Sequence, residues 1–167
     1  MKREDVLIQE LELKSHPEGG FYKETYRSSG IIMNSSLPEN YRGNRNFSTS
    51  IYFLLSSNDF SAFHRINQDE TWHFYEGSSI TIHQISPEGI YSSIVLGNDI
   101  LEKEVYQYTV KGGFWFGATV NKKNSYTLVG CAVAPGFDFN DFELATRNKL
   151  QKKFPNHKKI IEELTRL

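Results

Sequence analysis

Cysteine is nearly absent from this chain. Cys131 is the single one in 167 residues, so no internal disulfide can form, and its apolar neighbours mark it as a buried thiol in a reducing compartment. Long apolar runs are missing too. Nothing approaches the roughly 20 residues that span a bilayer, and Met1-Lys2-Arg3-Glu4-Asp5 opens a mixed polar segment without the apolar centre of a secretion signal. A cytoplasmic protein with no membrane partner is the expectation. An excess of one charge is also lacking: 19 basic side chains face 20 acidic ones, with neither sign in a long run, which argues against nucleic acid or anionic lipid as a partner. A small-molecule ligand fits better. No repeat, low-complexity segment or linker divides the chain, so residues 1–167 are expected to form one domain. A chain of this length buries roughly 68–70 % of its unfolded surface without metal or disulfide staples.

Aromatic side chains, by contrast, are abundant. They make up 14 % of the residues and fall in short runs, which favours many strands and either an aromatic-lined cavity or a broad contact between sheets. Residues Lys2 to Lys14 place Val6, Leu7, Leu11 and Lys14 at three- and four-residue steps, predicting an amphipathic helix. His16-Pro17-Glu18-Gly19-Gly20 stops it with a turn, in which His16 reads as a loop residue. The strand Phe21 to Arg27 follows, with Tyr22, Glu24 and Tyr26 on one face and Lys23, Thr25 and Arg27 on the other. Ser28 to Asn46 reads as a long loop, either a surface excursion or a lid.

Ser48 to Ser56 has the apolar density of a strand buried on both faces. Further short strands are expected over Phe60–Ile66, Thr71–Glu76, Ser79–Ile85, Ile90–Leu96, Val105–Val110, Phe114–Val120 and Tyr126–Ala134, each bounded by turn residues. Short strands without intervening helices predict an antiparallel sandwich or barrel and exclude a parallel sheet. Beyond Pro135-Gly136 the pattern becomes helical: Asn140 with Glu143 has capping-box spacing, Pro155 ends that helix, and a second begins at Asn156.

The stretch Ser61 to Gly77 breaks the apolar pattern, setting two histidines and three carboxylates among strand-forming aromatics. A buried imidazole or carboxylate costs several kcal/mol or so unless it is paired, metal-bound or met by a ligand, so function is sought here first. His64, Glu70 and Gly77 fit the spacing His-x-His, three or four residues, Glu, six residues, Gly, with Ile66 in place of the second histidine. Lys111-Gly112-Gly113-Phe114-Trp115-Phe116 resembles Pro-x-Gly-x-x-His, with Phe116 for the histidine. These are the two motifs of the cupin superfamily. His16 to Tyr22, Phe63-His64-Arg65, Trp72 to Tyr75, Trp115 to Ala118 and Val133 to Phe137 resemble one family of small single-domain cupins of unassigned role. The resemblance implies an all-β fold, a cupin-type jelly-roll β-barrel with an N-terminal helix and two C-terminal helices packed outside. It also implies a homodimer, a pocket inside the barrel and kinship to the dTDP-sugar epimerases.

Two of the four usual metal ligands of that pattern are replaced here by bulky apolar side chains, Ile66 and Phe116. The expectation is therefore a pocket without a metal or other cofactor, in which His64 and Glu70 pair and serve as catalytic base and acid. Trp72 and Phe116 would form flat walls against a sugar-derived ligand, with Arg27 and Tyr126 as further contacts. An epimerase-like isomerase is the leading expectation and a non-catalytic binding module the second. The third is a metal-dependent enzyme using His64, Glu70 and His73, which needs a bulge between Glu70 and His73, since strand alternation sets them on opposite faces.

Overall fold

In the computed structural model, which describes residues 2–166, a short helix precedes a long series of strands and two more helices close the chain. Helix α1 (Arg3–Glu10) leads into β1 (Lys14–Ser15) and β2 (Phe21–Arg27). The ladder β3 (Ile31–Ile32) with β4 (Arg45–Asn46) interrupts the next connection. Then come β5 (Thr49–Ser56), β6 (Ser61–Arg65), β7 (Asp69–Gly77), β8 (Ile80–Ile85) and β9 (Tyr91–Leu96). After these follow β10 (Gln107–Val110), β11 (Trp115–Val120), β12 (Tyr126–Ala134) and β13 (Glu143–Leu144), and finally α2 (Arg147–Lys153) and α3 (Lys158–Glu163).

The strands form a six-stranded sheet, β1-β2-β5-β12-β7-β10, and a five-stranded sheet, β13-β6-β11-β8-β9. Every named ladder is antiparallel. This is the expected all-β jelly-roll barrel with its helices outside. Alternation explains the apolar centre of β5: Phe53 and Leu55 point between the sheets, where they meet Trp72, Ile82, Phe116 and Val129, while Leu54 points outward against Leu7 and Leu13. Both faces of the strand are thereby buried. On the smaller sheet Phe63, Ile85 and Trp115 face outward and are covered by Leu150, Phe154, Ile161 and Leu164 of the C-terminal helices. No helix among the described residues is long and apolar enough to cross a membrane.

Two helix boundaries differ from expectation. Helix α1 ends at Glu10 rather than Lys14, because Lys14 and Ser15 pair with β2. The capping-box pair Asn140 and Glu143 starts no α-helix. Phe139–Asp141 makes a single 3-10 turn capped by the Asp138 carboxylate, and Glu143–Leu144 pairs with β6 before α2 begins at Arg147. A tertiary demand outweighs the local signal here. The Asp141 carboxylate is drawn into a fork of hydrogen bonds from Arg45, Nε to Oδ2 at 2.8 Å and Nη2 to Oδ1 at 2.7 Å, with both side chains buried.

Candidate functional site

The space between the sheets opens at one end into a cavity of about 500 Å³. Its walls follow from alternation: Thr49, Ile51 and Phe53 of β5, Glu70 and Trp72 of β7, and Cys131 and Val133 of β12 all point into it. Tyr22 and Glu24 of β2 do the same, and a bulge at Thr25 shifts the register so that Arg27 joins them. Strict alternation would place Arg27 outside and Tyr26 inside; Tyr26 is instead exposed. The segment Phe137 to Phe142 roofs the mouth with aromatic rings. Residues 28–46 contribute nothing to the lining, as fits the surface excursion and not the lid.

His64, on β6 of the smaller sheet, is 2 % exposed and faces Glu70, on β7 of the larger sheet, across this interior. Its direct partner is another residue, Glu18, whose Oε2 lies 3.1 Å from His64 Nε2. The sequence reading left Glu18 in a turn. Gly19 and Gly20, both at positive φ, let the chain reverse tightly enough to send the Glu18 side chain inward. A Cβ on Gly19 would fall 2.2 Å from the Phe60 carbonyl oxygen, so no other residue fits. The Ser61 hydroxyl donates to Glu18 Oε1 at 2.8 Å and fixes the carboxyl. His16, on the other side of Pro17, also lines the cavity, and its Nδ1 lies 3.3 Å from the same Glu18 Oε2.

These contacts determine where protons sit. His64 Nδ1 lies 2.8 Å from the Ala62 carbonyl, and a carbonyl oxygen only accepts, so Nδ1 carries hydrogen. In the neutral ring Nε2 is then an acceptor. Its contact with Glu18 Oε2 requires one proton between the two atoms. Burial pushes the Glu18 carboxyl up and the His64 imidazole down, so that proton rests on the carboxyl. The backbone N–H of Glu18 donates to His16 Nδ1 at 3.3 Å, and burial lowers His16 as well, so this nitrogen is an acceptor too. Glu18 Oε2 thus lies between two imidazole nitrogens, with its proton directed to His64 Nε2, since the lone pair of His16 Nδ1 already accepts from the backbone.

Glu70 is buried apart from a sliver of surface and forms no ion pair among the described residues. Burial raises its carboxyl from the ordinary 4.5 to about 7, with Glu18 adding to the rise and His64 opposing it. At neutral pH it is close to half protonated, ready to accept or release a proton. Cys131 beside it is pushed well up by burial and is an unreactive thiol.

The remaining expected site residues are distributed differently. Trp72 is a cavity wall. Phe116 lies behind His64, with ring centroids 4.1 Å apart, and supports the imidazole instead of the ligand. Arg27 stands in the lining but donates to Glu24 in a fork at 2.9 and 2.7 Å. Tyr126 is outside the cavity, donating to Glu76 Oε1 at 2.6 Å under helix α1. His73 points away from Glu70, and the bulge in β7 falls at Tyr75, beyond both residues. The set His64, Glu70 and His73 is therefore not brought together.

The donors fit a metal poorly. Among the described residues no three His, Cys, Asp or Glu side chains are disposed to hold an ion. His64 Nε2 and His16 Nδ1 both turn onto Glu18, while Ile66 lines the cavity and Phe116 packs where further ligands would enter.

An interior cavity of paired histidines and carboxyls within a jelly-roll barrel defines a protein of the cupin type. The family model described as Cupin superfamily (DUF985) matches residues 5–145, and the chain belongs to that family. A structure of protein SO0799 from Shewanella oneidensis is 42 % identical, covers 99 % of both chains and superposes with a TM-score of 0.89. A hypothetical protein from Leishmania major is 34 % identical over 98 % of both chains, again with a TM-score of 0.89. The uncharacterized protein YML079W of Saccharomyces cerevisiae is 31 % identical over 81 % of this chain and 71 % of its own length. Oxalate decarboxylase from Bacillus subtilis, 13 % identical with a TM-score of 0.54 over 90 % of this chain and 36 % of that one, shares the fold alone.

Proposed function

We propose that this cupin is a metal-independent proton-transfer enzyme of the isomerase or epimerase class, acting on a small molecule held inside the barrel. The observation that carries this reading is the pair of buried carboxyls in different settings: Glu70 stands without an ion pair among the described residues and is raised by burial to about 7, while Glu18 lies against His64 Nε2 and His16 Nδ1. Such pairs divide acid and base roles between them. Glu70, when ionised, removes a proton from a carbon next to a carbonyl. Glu18 returns one, and the cycle resets when Glu70 releases the abstracted proton to solvent at the mouth and Glu18 takes one up. The aromatic walls lower the polarity around both carboxyls, which strengthens both transfers. A sugar derivative is the substrate class that the epimerase kinship suggests.

The test is deuterium incorporation from D2O into free and nucleotide-linked keto sugars, followed by mass spectrometry. Exchange that is lost in Glu70→Gln and reduced in Glu18→Gln supports the enzyme. The second reading, a binding module, draws on the fact that Glu18, Ser61 and His64 satisfy one another internally. Ligand binding without exchange would establish that reading and dismiss the first.

A further inference from the structure

We infer that the ligand of this cavity is held through a nitrogen group that donates hydrogen bonds, carried on a flat apolar body, and that it bears no phosphate or carboxylate. The inference concerns the same cavity as the proposed function but departs from the sugar derivative that kinship suggests, resting on what the walls can bind, whatever reaction follows.

The first observation is the state of the charges in the lining. Glu18, Glu24, Glu70 and Asp138 contribute carboxyls, and among the described residues Arg27 is the one permanent cation in the lining. That cation is already engaged. Its Nε and Nη2 donate to Glu24 at 2.9 and 2.7 Å, Nη1 donates to Asn46 Oδ1 at 2.8 Å, and Nη2 also reaches the Phe137 carbonyl at 3.1 Å. Burial keeps both histidines neutral, and their facing nitrogens are turned onto Glu18. The indole N–H of Trp72 is buried without a partner, yet one neutral donor does not offset a full negative charge. An anion entering here would exchange its hydration for carboxylates and aromatic faces, which disfavours binding.

The second observation is an acceptor without a charged partner. Glu70 is 9 % exposed, forms no ion pair among the described residues, and has only the neutral Trp72 indole and Cys131 thiol as donors beside it. A planar group with two parallel N–H bonds meets a carboxylate as a fork. The third is the shape of the space: Phe53 and Trp72 are set edge to face at the inner end, and Phe137, Phe139 and Phe142 cluster at the mouth, as suits a flat ring.

The experiment is calorimetric titration of the intact protein at pH 8 with benzamidine, benzamide, benzoate and phenyl phosphate. Benzamidine and benzamide are expected to bind at least about tenfold more tightly than the two anions, and Glu70→Gln is expected to abolish the preference for benzamidine. A second variant tests the same logic from the mouth. Glu24→Gln releases the Arg27 guanidinium and is expected to raise affinity for phenyl phosphate about tenfold. Benzoate or phenyl phosphate binding wild type as tightly as benzamidine would overturn the inference, and so would failure of all four to bind at millimolar concentration. Loss of deuterium exchange with the nitrogen preference intact would sink only the catalytic proposal, whereas exchange on nucleotide-linked sugars alone would sink only this one.

Discussion

Replacing Glu70 by glutamine should make the protein more stable, and only on the alkaline side. Its carboxyl has an ordinary value of 4.5 in the unfolded chain and titrates at about 7 in the folded one, chiefly because burial penalises its charge. A raised value means that stability tied to the protonated group is fully present below 4.5. It is lost as pH rises through about 7, since in that interval the unfolded chain releases a proton that the folded chain retains. At roughly 1.4 kcal/mol per pH unit, the interval amounts to about 3 kcal/mol. Glutamine keeps the shape and discards the charge. Urea unfolding should therefore show Glu70→Gln about equal to wild type at pH 4 and about 3 kcal/mol more stable at pH 8, with unchanged m. For a domain of this size the gain corresponds to a rise of roughly 6–12 °C in Tm. His16 and His64 act in the opposite sense: their lowered values give stability that is present above the ordinary 6.5 and lost as pH falls through the folded value. The difference between variant and wild type cancels most of that contribution. Equal stabilities at both pH values, or a weaker variant at pH 8, would refute the claim that a buried, uncompensated carboxyl lies in this cavity.

Arg45→Ala strands the buried Asp141 carboxylate and is expected to lower stability by about 3–5 kcal/mol, read from the urea midpoint. Gly77→Ala forces a Cβ to within 2.2 Å of the Tyr126 carbonyl at φ +100 and should cost at least about 1–3 kcal/mol in the same assay. Tyr126→Phe removes the bond to Glu76, costing about 1 kcal/mol in thermal unfolding while leaving benzamidine affinity unchanged. Sedimentation at micromolar concentration should give the mass of a homodimer, because β9 and β10 leave sheet edges to be covered; a monomeric mass contradicts this.

Alternating burial made the architecture readable in advance, as the centre of β5 illustrates: Phe53, Leu54 and Leu55 are buried on alternating faces, so consecutive positions had to be apolar. The polar stretch around His64 and Glu70 was readable for the complementary reason, since charges between sheets need an explanation. What could not be read depends on pairing at long range. Nothing local says that Thr25 is the extra residue that turns Arg27 inward, because a bulge exists only relative to the neighbouring strand. Glu18 was hidden in a turn, although a carboxylate between a proline and two glycines was a usable signal: the glycines mark a tight reversal, and a reversal beside a strand end can aim a side chain inward. Asn140 misled for the converse reason, because its neighbour Asp141 is committed to Arg45.

Asp141 reaches beyond Arg45. Its Oδ2 also accepts from Gln68 Nε2 at 2.7 Å and its Oδ1 from Asn67 Nδ2 at 3.0 Å, residues that immediately precede the strand bearing Glu70. One carboxylate therefore clamps ceiling and side wall together, and the height of the chamber becomes a fixed dimension of the molecule. The roof over the mouth and the strand that carries Glu70 thus share a single anionic hinge-pin, and loosening it would loosen both.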